Sequence, residues 1–239
     1  MKRLRFYELL LLSETEKAAR AVPFKNSVTV IKGENDRGKS CLIKSLYTAL
    51  GAEPKLVHPK WQGINVILHL DFAIDDQRYS ILKNGKHYTL FDGDGGLVGK
   101  YGSVTKGLGP KLGELFDFHV EMTNASSKKP EQATPALLYL PFYFDQDSSW
   151  IDNWSGFDRL KQFKDYRKAI AEFHTGLKPN EYYLAKAKKG EAEVEREKLR
   201  RERAVVKRVL EKIEVLMKNA QVDLDIASYQ AEIGLLLAK

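Results

Sequence analysis

The sequence predicts an α/β fold that is organised around a phosphate-binding loop and carries an antiparallel meander and a long charged helix. Three observations support this prediction. A β-favouring run at 28–31 leads into the pattern Gly-x-x-x-x-Gly-Lys-Ser at 33–40, strand patterns joined by short turns occupy 65–91, and residues 181–220 keep a helical pattern without a proline. We therefore expect an α/β body followed by a helical extension.

The loop at 33–40 has the residue types that bind a polyphosphate. Gly33 and Gly38 permit backbone angles and a close approach that a Cβ would block. Lys39 is expected to reach the β- and γ-phosphates, and the Ser40 hydroxyl to bind Mg²⁺. The residues predicted to contact the nucleotide are Gly33, Asn35, Asp36, Arg37, Gly38, Lys39, Ser40 and Cys41.

The residues after the loop predict a helix over 39–50, whose positive dipole end would face the bound anion. Gly51 stands where a helix stop is expected, and Pro54 lies just beyond it. The apolar positions that share one face are Leu42, Ile43, Leu46, Tyr47 and Leu50. The alternative is a glycine-rich turn that matches the pattern by chance. A strand, a loop and an amphipathic helix in this order argue against it.

The composition predicts a soluble, cytoplasmic protein. Of the 239 residues 43% are apolar, which is enough for a core, and the single cysteine excludes an internal disulfide. That residue, Cys41, is expected to be a small buried apolar side chain rather than a nucleophile. No signal peptide or membrane-length apolar run is present, and the five histidines lack ligand spacing, so we expect no membrane partner and no bound zinc.

The strands around the loop are predicted from period-two alternation and turn residues. The predicted strands are 2–12, 28–31, 65–74, 79–83 and 86–91, and 13–23 is predicted to be a polar loop. Asn84-Gly85 is a strong hairpin signal, so the last three strands should form an antiparallel meander. The alternative is that 66–71 is a strand ending in a Mg²⁺-binding Asp71. The meander explains the stretch without it, and no catalytic Glu follows.

The middle of the chain alternates loops with apolar segments. The predicted elements are a glycine-rich loop at 93–109, a short helix at 110–118, a polar loop at 126–134, a buried strand at 136–144 and a helix at 157–173. The strand at 136–144 is strongly apolar and aromatic, and it ends in Asp145-Gln146-Asp147.

The last part of the chain predicts the base of a coiled-coil arm. Apolar residues recur every seven positions from Ala192 to Ala220, and between Lys186 and Lys218 twelve Lys/Arg face seven Asp/Glu, an excess of 12 − 7 = +5 within a total charge of +7. We place the domain boundary between 1–176 and 177–239. The alternatives are a solvated amphipathic helix in place of a coiled coil and a solvated charged face in place of a DNA contact.

The order of these elements resembles the N-terminal half of an SMC-like ATPase head. This group of ABC-type P-loop NTPases includes the chromosome condensers and the ATPase of the double-strand-break repair complex. The family loop is usually Gly-x-Asn-Gly-Ser/Ala-Gly-Lys-Ser/Thr, and the chain matches it at Asn35, Gly38, Lys39 and Ser40. It departs from that pattern at Asp36, a residue type that tolerates unusual backbone angles, and at Arg37, whose role the sequence does not define.

The resemblance implies an ATP–Mg²⁺ site with two further roles. Gln146 would contact Mg²⁺ and the attacking water, as the family glutamine does, so that Lys39 and Gln146 are the catalytic residues and Ser40 and Gln146 the metal ligands. The alternative for Gln146 is a structural loop residue. Heads of this family hydrolyse ATP only when a C-terminal half supplies a signature motif and a strand ending in Asp-Glu. Neither is found in this sequence. We therefore expect the chain to be a fragment or the first part of a longer protein.

The resemblance also implies partners and a function. Two heads would dimerise around ATP, and hydrolysis would drive DNA binding or remodelling in DNA repair or in anti-phage defence, in the second case with a nuclease or another accessory subunit. Such a protein would be nucleoid-associated. The alternative is a stand-alone P-loop nucleotide switch or kinase with a helical protein-interaction tail. The meander argues against it, because compact kinases continue β-α-β after the loop.

Overall fold

The fold is described from a computed structural model, which covers residues 2–25, 27–127, 130–147, 149–219 and 226–237. The chain divides into two compact units, 1–185 and 186–239. The sequence placed its domain boundary slightly earlier, between 176 and 177. The first unit is mixed α/β and contains the predicted phosphate-binding loop, and the second is helical.

A six-stranded antiparallel sheet forms the framework of the first unit. Its strands are β1 (Leu4–Ser13), β2 (Ala18–Pro23), β3 (Ile67–Ile74), β4 (Gln77–Asn84), β5 (His87–Asp92) and β6 (Leu97–Tyr101). They lie in the order β2-β1-β3-β4-β5-β6. The predicted first strand and the predicted meander are confirmed. Asn84 pairs with His87 across the turn, where Gly85 has a φ of +56°.

Strand β2 corrects the prediction of a loop over 13–23. It pairs antiparallel with β1, from Ser13 opposite Ala18 to Glu8 opposite Pro23. All of its side chains except that of Val22 are exposed, so the strand lacks the apolar alternation that a sequence pattern detects. It is an edge strand whose position depends on backbone pairing with β1.

Strand β6 corrects the prediction of a loop over 93–109. Asp92 Oδ1 accepts the backbone N–H groups of Asp94 at 3.1 Å and Gly96 at 2.7 Å, and Gly95 takes a φ of +83°. These contacts close a second tight turn, and β6 then pairs with β5. The glycines that suggested a loop therefore form a turn. A π-helix at Val104–Leu108 follows.

Three helices accompany the sheet along the chain. They are α1 (Lys39–Ala49), α2 (Pro59–Gly63) and α3 (Gly109–Phe116). Helices α1 and α3 confirm the predictions for 39–50 and 110–118. Leu46 and Ala49 of α1 are buried, as are Leu112 and Phe116 of α3. The apolar faces of both helices thus join the core that covers one face of the sheet.

The predicted strand at 28–31 is not formed. Val28 and Val30 are 69% and 70% exposed, and no backbone hydrogen bond within the described residues joins this segment to a strand. A β-favouring sequence forms a strand only beside another strand, since β propensity mostly reflects packing against neighbours. The segment is unpaired chain without regular secondary structure that leads into the loop.

The predicted buried strand at 136–144 is wrong in its secondary structure. Residues Pro135–Tyr139 form helix α4, and Leu140–Phe142 continue as a 3₁₀ helix. Pro135 stands at the start of α4, where its fixed φ suits a helix and its missing N–H costs nothing. All five residues of α4 are buried. A short apolar run that is buried on every side carries no periodicity that distinguishes strand from helix.

The predicted helix at 157–173 is shorter than expected. Leu160–Gln162 form a 3₁₀ turn, and helix α5 spans only Tyr166–His174. Arg159 and Asp165 have φ values of +59° and +53°, which interrupt the helix. The apolar residues at helical spacing are nonetheless part of the core: Phe157, Leu160, Phe163 and Ile170 are at most 4% exposed. The helix ends at His174, one residue past its predicted end at 173.

A two-stranded sheet lies within and beside the predicted polar loop at 126–134. Its strands are β7 (Glu121–Thr123) and β8 (Pro130–Gln132), so the loop prediction is wrong for 130–132. Asn124 Oδ1 accepts the N–H groups of Ser126 and Ser127, and Asn124 Nδ2 donates to Glu131. These side-chain contacts form the described part of the turn between the strands.

Two helices end the described chain, and the prediction of one long helix from 181 is confirmed. They are α6 (Asn180–Asn219) and α7 (Ile226–Leu237). The heptad residues Leu199, Val206 and Ile213 are 54%, 57% and 44% exposed, and the last heptad position, 220, lies outside the described residues. The coiled coil stays a prediction. Among the described helices none is both long and apolar enough to cross a membrane.

Candidate phosphate-binding site

The loop at 33–38 turns sharply before helix α1 begins. Asp36 has a φ of +60° and Gly38 a φ of +78°, both in the left-handed region. A Cβ on Gly38 would meet nothing within 4 Å, so glycine is favoured there by the backbone angle rather than by space. Asp36 takes the left-handed conformation as the sequence suggested it can. The departure from the family pattern at this position is therefore compatible with the turn.

The Lys39 side chain folds back into the loop that precedes it. Its Nζ donates hydrogen bonds to the carbonyl oxygens of Gly33 at 2.7 Å and Glu34 at 2.6 Å. The ammonium group thus lies at the centre of the turn, at hydrogen-bonding distance from backbone atoms rather than from a carboxylate. A negatively charged ligand in the loop would find a positive charge held in place by two neutral acceptors.

Arg37 has a partner in the structure that the sequence did not suggest. Its guanidinium pairs with the Glu34 carboxylate at 3.1 Å across the turn. The two side chains are 72% and 81% exposed, so the pair contributes little to stability. Asn35 is also exposed. The loop thus presents its polar groups at the surface, accessible to a ligand.

The N-terminus of helix α1 offers unused backbone donors. The Leu42 N–H bonds to the Gly38 carbonyl oxygen at 2.9 Å, so the N–H groups of Lys39, Ser40 and Cys41 precede the first helical hydrogen bond. None of the described side chains caps this end, and its first turn carries no acidic residue. The positive end of the helix dipole and the exposed Ser40 therefore lie at the same end of α1. Cys41 is half-buried, not fully buried as the sequence suggested.

Gln146 lies in a loop that is fastened to helix α1. Its side chain is exposed, while the flanking Asp145 and Asp147 both pair with Lys44 of α1, with Nζ–O distances of 3.5 Å and 3.0 Å. Ser40 and Lys44 are four residues apart and so share a face of the helix. The two metal ligands that the sequence predicts thus belong to segments that are joined by a direct contact.

Aromatic packing fixes the segment before Gln146 on the same helix. The Tyr143 ring lies 4.7 Å from the Tyr47 ring and 4.8 Å from that of Phe157, centroid to centroid. Burial raises the pKa of Tyr47 to about 12, and it also raises the pKa of Tyr143, with a further contribution from the nearby Asp145 carboxylate. Both phenols are therefore neutral at physiological pH, and the cluster carries no charge of its own.

The sequence did not identify Lys44 as a functional residue. Lys44 and Asp147 are 103 positions apart, and a single lysine on a helix has no pattern that predicts a buried pair. The signal that was present is the placement of two aspartates on either side of Gln146. It indicates a negatively charged loop without revealing its partner.

The groups at this site suit a magnesium-bound polyphosphate. Backbone N–H donors, the Lys39 ammonium and a helix N-terminus are typical partners of phosphate oxygens. The Ser40 hydroxyl and the Gln146 amide oxygen are oxygen ligands of the kind that Mg²⁺ takes alongside phosphate and water. Within the described residues, no group of three or more His, Cys, Asp or Glu side chains is placed to hold a metal ion.

The fold and the loop thus define a mixed α/β protein with a candidate phosphate-binding site. The chain is 26% identical, over 235 residues, to the Lamassu protein LmuB of Bacillus cereus (strain VD014), a match that covers 97% of this chain and 41% of that protein. It is 27% identical over 141 residues to a Lamassu protein LmuB of another Bacillus strain, a match that covers 59% of this chain and 24% of that protein. The chain therefore spans well under half the length of these relatives. No family model matches it.

Proposed function

We propose that this chain is the ATP-binding, N-terminal half of an SMC-like ATPase head that acts in anti-phage defence. The observation that carries the proposal is the loop at 33–40, with its left-handed turn, its inward-folded Lys39 and its direct continuation into α1. The similarity to two Lamassu LmuB proteins, over 97% and 59% of this chain, favours defence over DNA repair.

In this proposal the loop holds the phosphates and Lys39 exchanges its partners. The ammonium leaves the Gly33 and Glu34 carbonyl oxygens and turns to the β- and γ-phosphate oxygens, which are charged acceptors and therefore stronger. When bound, Mg²⁺ neutralises phosphate charge and activates the γ-phosphate for attack. Ser40 and Gln146 supply protein oxygens for this ion, and Gln146 orients the attacking water.

Hydrolysis in this proposal needs parts outside the 239 residues. The unpaired segment at 28–31, with Val28 and Val30 exposed, is suited to pair with a strand of a C-terminal half, which also supplies the Asp-Glu strand end. More than half of the B. cereus relative lies outside the match, which leaves length for such a half. A second ATP-bound head completes the site from the other side.

The helical part is proposed to transmit the motion of the heads to DNA. The excess of +5 between Lys186 and Lys218 lies on a helix whose described side chains are nearly all exposed. Contacts of these side chains with phosphates would be independent of base sequence and would weaken with salt. A nuclease or another accessory subunit would act on the DNA that the heads hold.

Nucleotide binding is the direct test of the proposal. We expect the 239-residue chain to bind ATP in the presence of Mg²⁺, as measured by isothermal titration calorimetry, and Lys39→Ala to abolish binding. Lys86→Ala removes a comparable lysine from an exposed hairpin turn and should leave the affinity unchanged. Equal ATP affinity in the Lys39→Ala variant and the native chain would refute the assignment of the loop.

The dependence of hydrolysis on protein concentration separates the proposal from a stand-alone nucleotide switch or kinase. Heads that dimerise around ATP should show second-order dependence of the rate in a protein that carries the completed head. A monomeric enzyme should show a rate proportional to concentration. The second result would favour the stand-alone alternative.

A further inference from the structure

One buried lysine fastens the loop that carries Gln146 to helix α1. Lys44 Nζ lies 3.5 Å from Asp145 Oδ1 and 3.0 Å from Asp147 Oδ2, and it donates to the Leu56 carbonyl oxygen at 3.0 Å. The Lys44 and Asp145 side chains are only 4% and 3% exposed. An ammonium group has three N–H donors, and three oxygens lie within reach to take them.

This arrangement has a consequence for geometry rather than for net stability. Removing two charges from water is costly, and apolar residues of similar size often stabilise a core as well as a buried ion pair does. The Lys44–Asp145 pair is thus a poor source of folding free energy. The pair does fix the position of the loop relative to α1, because hydrogen-bonded charges hold their partners at a defined distance and angle and apolar contacts do not.

The position of the pair relative to Gln146 indicates what is being fixed. Asp145 and Asp147 flank Gln146, so the chain is anchored on both sides of it while its own side chain stays exposed. Lys44 lies one turn beyond Ser40 on the same face of α1, a rise of about 6 Å at 1.5 Å per residue. The contact thus joins the Gln146 loop to α1 one turn beyond Ser40.

We propose that Lys44 is a positioning residue, which holds Gln146 beside Ser40 so that both can reach one Mg²⁺ ion. This inference rests on the proposed function, since it takes Ser40 and Gln146 as ligands of ATP-bound Mg²⁺. It adds that the binding of Mg²⁺ depends on a charge cluster that itself touches neither metal nor nucleotide. Residues that orient metal ligands typically change metal affinity about 10- to 100-fold when they are altered.

Three variants separate positioning from simple stability. Asp147→Asn leaves the buried Lys44–Asp145 pair intact and releases the half-exposed side of the loop. Lys44→Met removes the cation beside the buried Asp145 carboxylate, so it should lower the unfolding midpoint strongly. Lys44→Met with Asp145→Leu replaces the buried pair by apolar side chains and should recover that midpoint. Lys178→Met is the matched control, because it removes another lysine paired with a carboxylate, Glu172, at 2.7 Å.

The measurement is the gain in ATP affinity on adding Mg²⁺, by calorimetry on the 239-residue chain with Mg²⁺ and with EDTA. We expect Asp147→Asn and the double variant to reduce this gain about 10-fold while their urea midpoints and their affinities in EDTA stay near native. Lys178→Met should change none of these. Without nucleotide, hydrogen exchange of the 145–149 amides should be faster in Asp147→Asn and in the double variant than in the native chain.

The outcomes distinguish this inference from the proposed function. If the native chain does not bind ATP, or Lys39→Ala binds as well, the proposed function fails, and native exchange at 145–149 in both variants would then show that Lys44 does not hold the loop. If Lys39→Ala loses binding but both loop variants keep the native Mg²⁺ gain, only this inference is overturned. A loss confined to Asp147→Asn, with a native gain in the double variant, would make Asp147 a direct ligand and also overturn it.

Discussion

The meander β3–β5 and the segment at 135–147 are held by contacts of different range. In the meander the pairing begins between close neighbours, Ile74 with Gln77 and Asn84 with His87. In the segment at 135–147 the contacts reach back to helix α1, where Lys44 bonds to a residue 103 positions away. The first region is defined by its own turns, and the second by a helix that is distant in sequence.

This difference shows that the Gln146 segment depends on contacts that are distant in sequence, while the meander depends on local turns. A two-residue turn fixes the register of a hairpin, because the turn and the strand twist must match. A loop carried by distant contacts is ordered only after the chain between them has been closed, which costs conformational entropy. Changes in the core beneath the site should therefore have larger effects than changes in the meander turns.

The largest expected effect is on stability, from Phe157→Ala. Phe157 is fully buried, and its ring contacts those of Tyr143 at 4.8 Å and Tyr47 at 5.7 Å, which join the Gln146 segment to α1. Replacing it by alanine leaves a cavity and should lower the free energy of unfolding by about 3–5 kcal/mol, measured by urea denaturation. Phe144→Ala is the control, because that side chain is 75% exposed and should cost less than about 0.5 kcal/mol. Equal losses in the two variants would contradict the described packing.

The elements that the sequence predicted correctly have local signals. Period-two alternation and the Asn84-Gly85 turn gave the meander, and a face of apolar residues together with Gly51 gave α1. The elements that it predicted wrongly lack such a signal. Strand β2 is an exposed edge strand, and α4 is buried on every side, so neither shows the periodicity of its true structure.

The candidate site was predictable to the extent that it is one continuous motif. The loop at 33–40 was found because its glycines, lysine and serine stand at fixed spacing, and its left-handed turn at Asp36 and Gly38 follows from those residue types. Lys44 was not found, since its partners come from a segment that folding brings to it. The segment at 28–31 has a strand sequence without a described neighbour, so propensity alone was insufficient there.

The second expected effect is on catalysis, from Gln146→Ala in a protein that carries the completed head. The variant should bind ATP almost as well as the native protein, because Lys39 and the backbone of the loop hold the phosphates. Its turnover should fall about 10- to 100-fold, since a ligand of Mg²⁺ and of the attacking water is lost. The measurement is steady-state hydrolysis beside calorimetric affinity. Native turnover would identify Gln146 as a structural residue.

The third effect tests the meander itself, through its turn. Gly85 has a φ of +56° and open space where a Cβ would stand. An alanine there would clash with no atom, but it would have to adopt the left-handed backbone conformation. We expect Gly85→Ala to lower the free energy of unfolding by about 1–2 kcal/mol, measured by urea denaturation. Gly63→Ala is a matched control, because Gly63 also has open space but no positive φ, and it should cost nothing. A neutral Gly85→Ala would indicate that the register of the meander is set elsewhere.

The smallest expected effect is the pH dependence of stability that arises from His174, which packs against Phe142 of the segment at 135–147. Burial between Phe142 and Phe173 lowers the pKa of His174 below its usual 6.5. As the pH falls, His174 is protonated in the unfolded chain before it is protonated in the folded chain. Its contribution to stability is therefore complete above pH 6.5 and is lost as the pH falls toward the lower pKa of the folded state. His174→Phe should flatten the fall in the urea midpoint that begins as the pH drops below about 6.5. An unchanged slope in His174→Phe would assign the acid sensitivity to other groups.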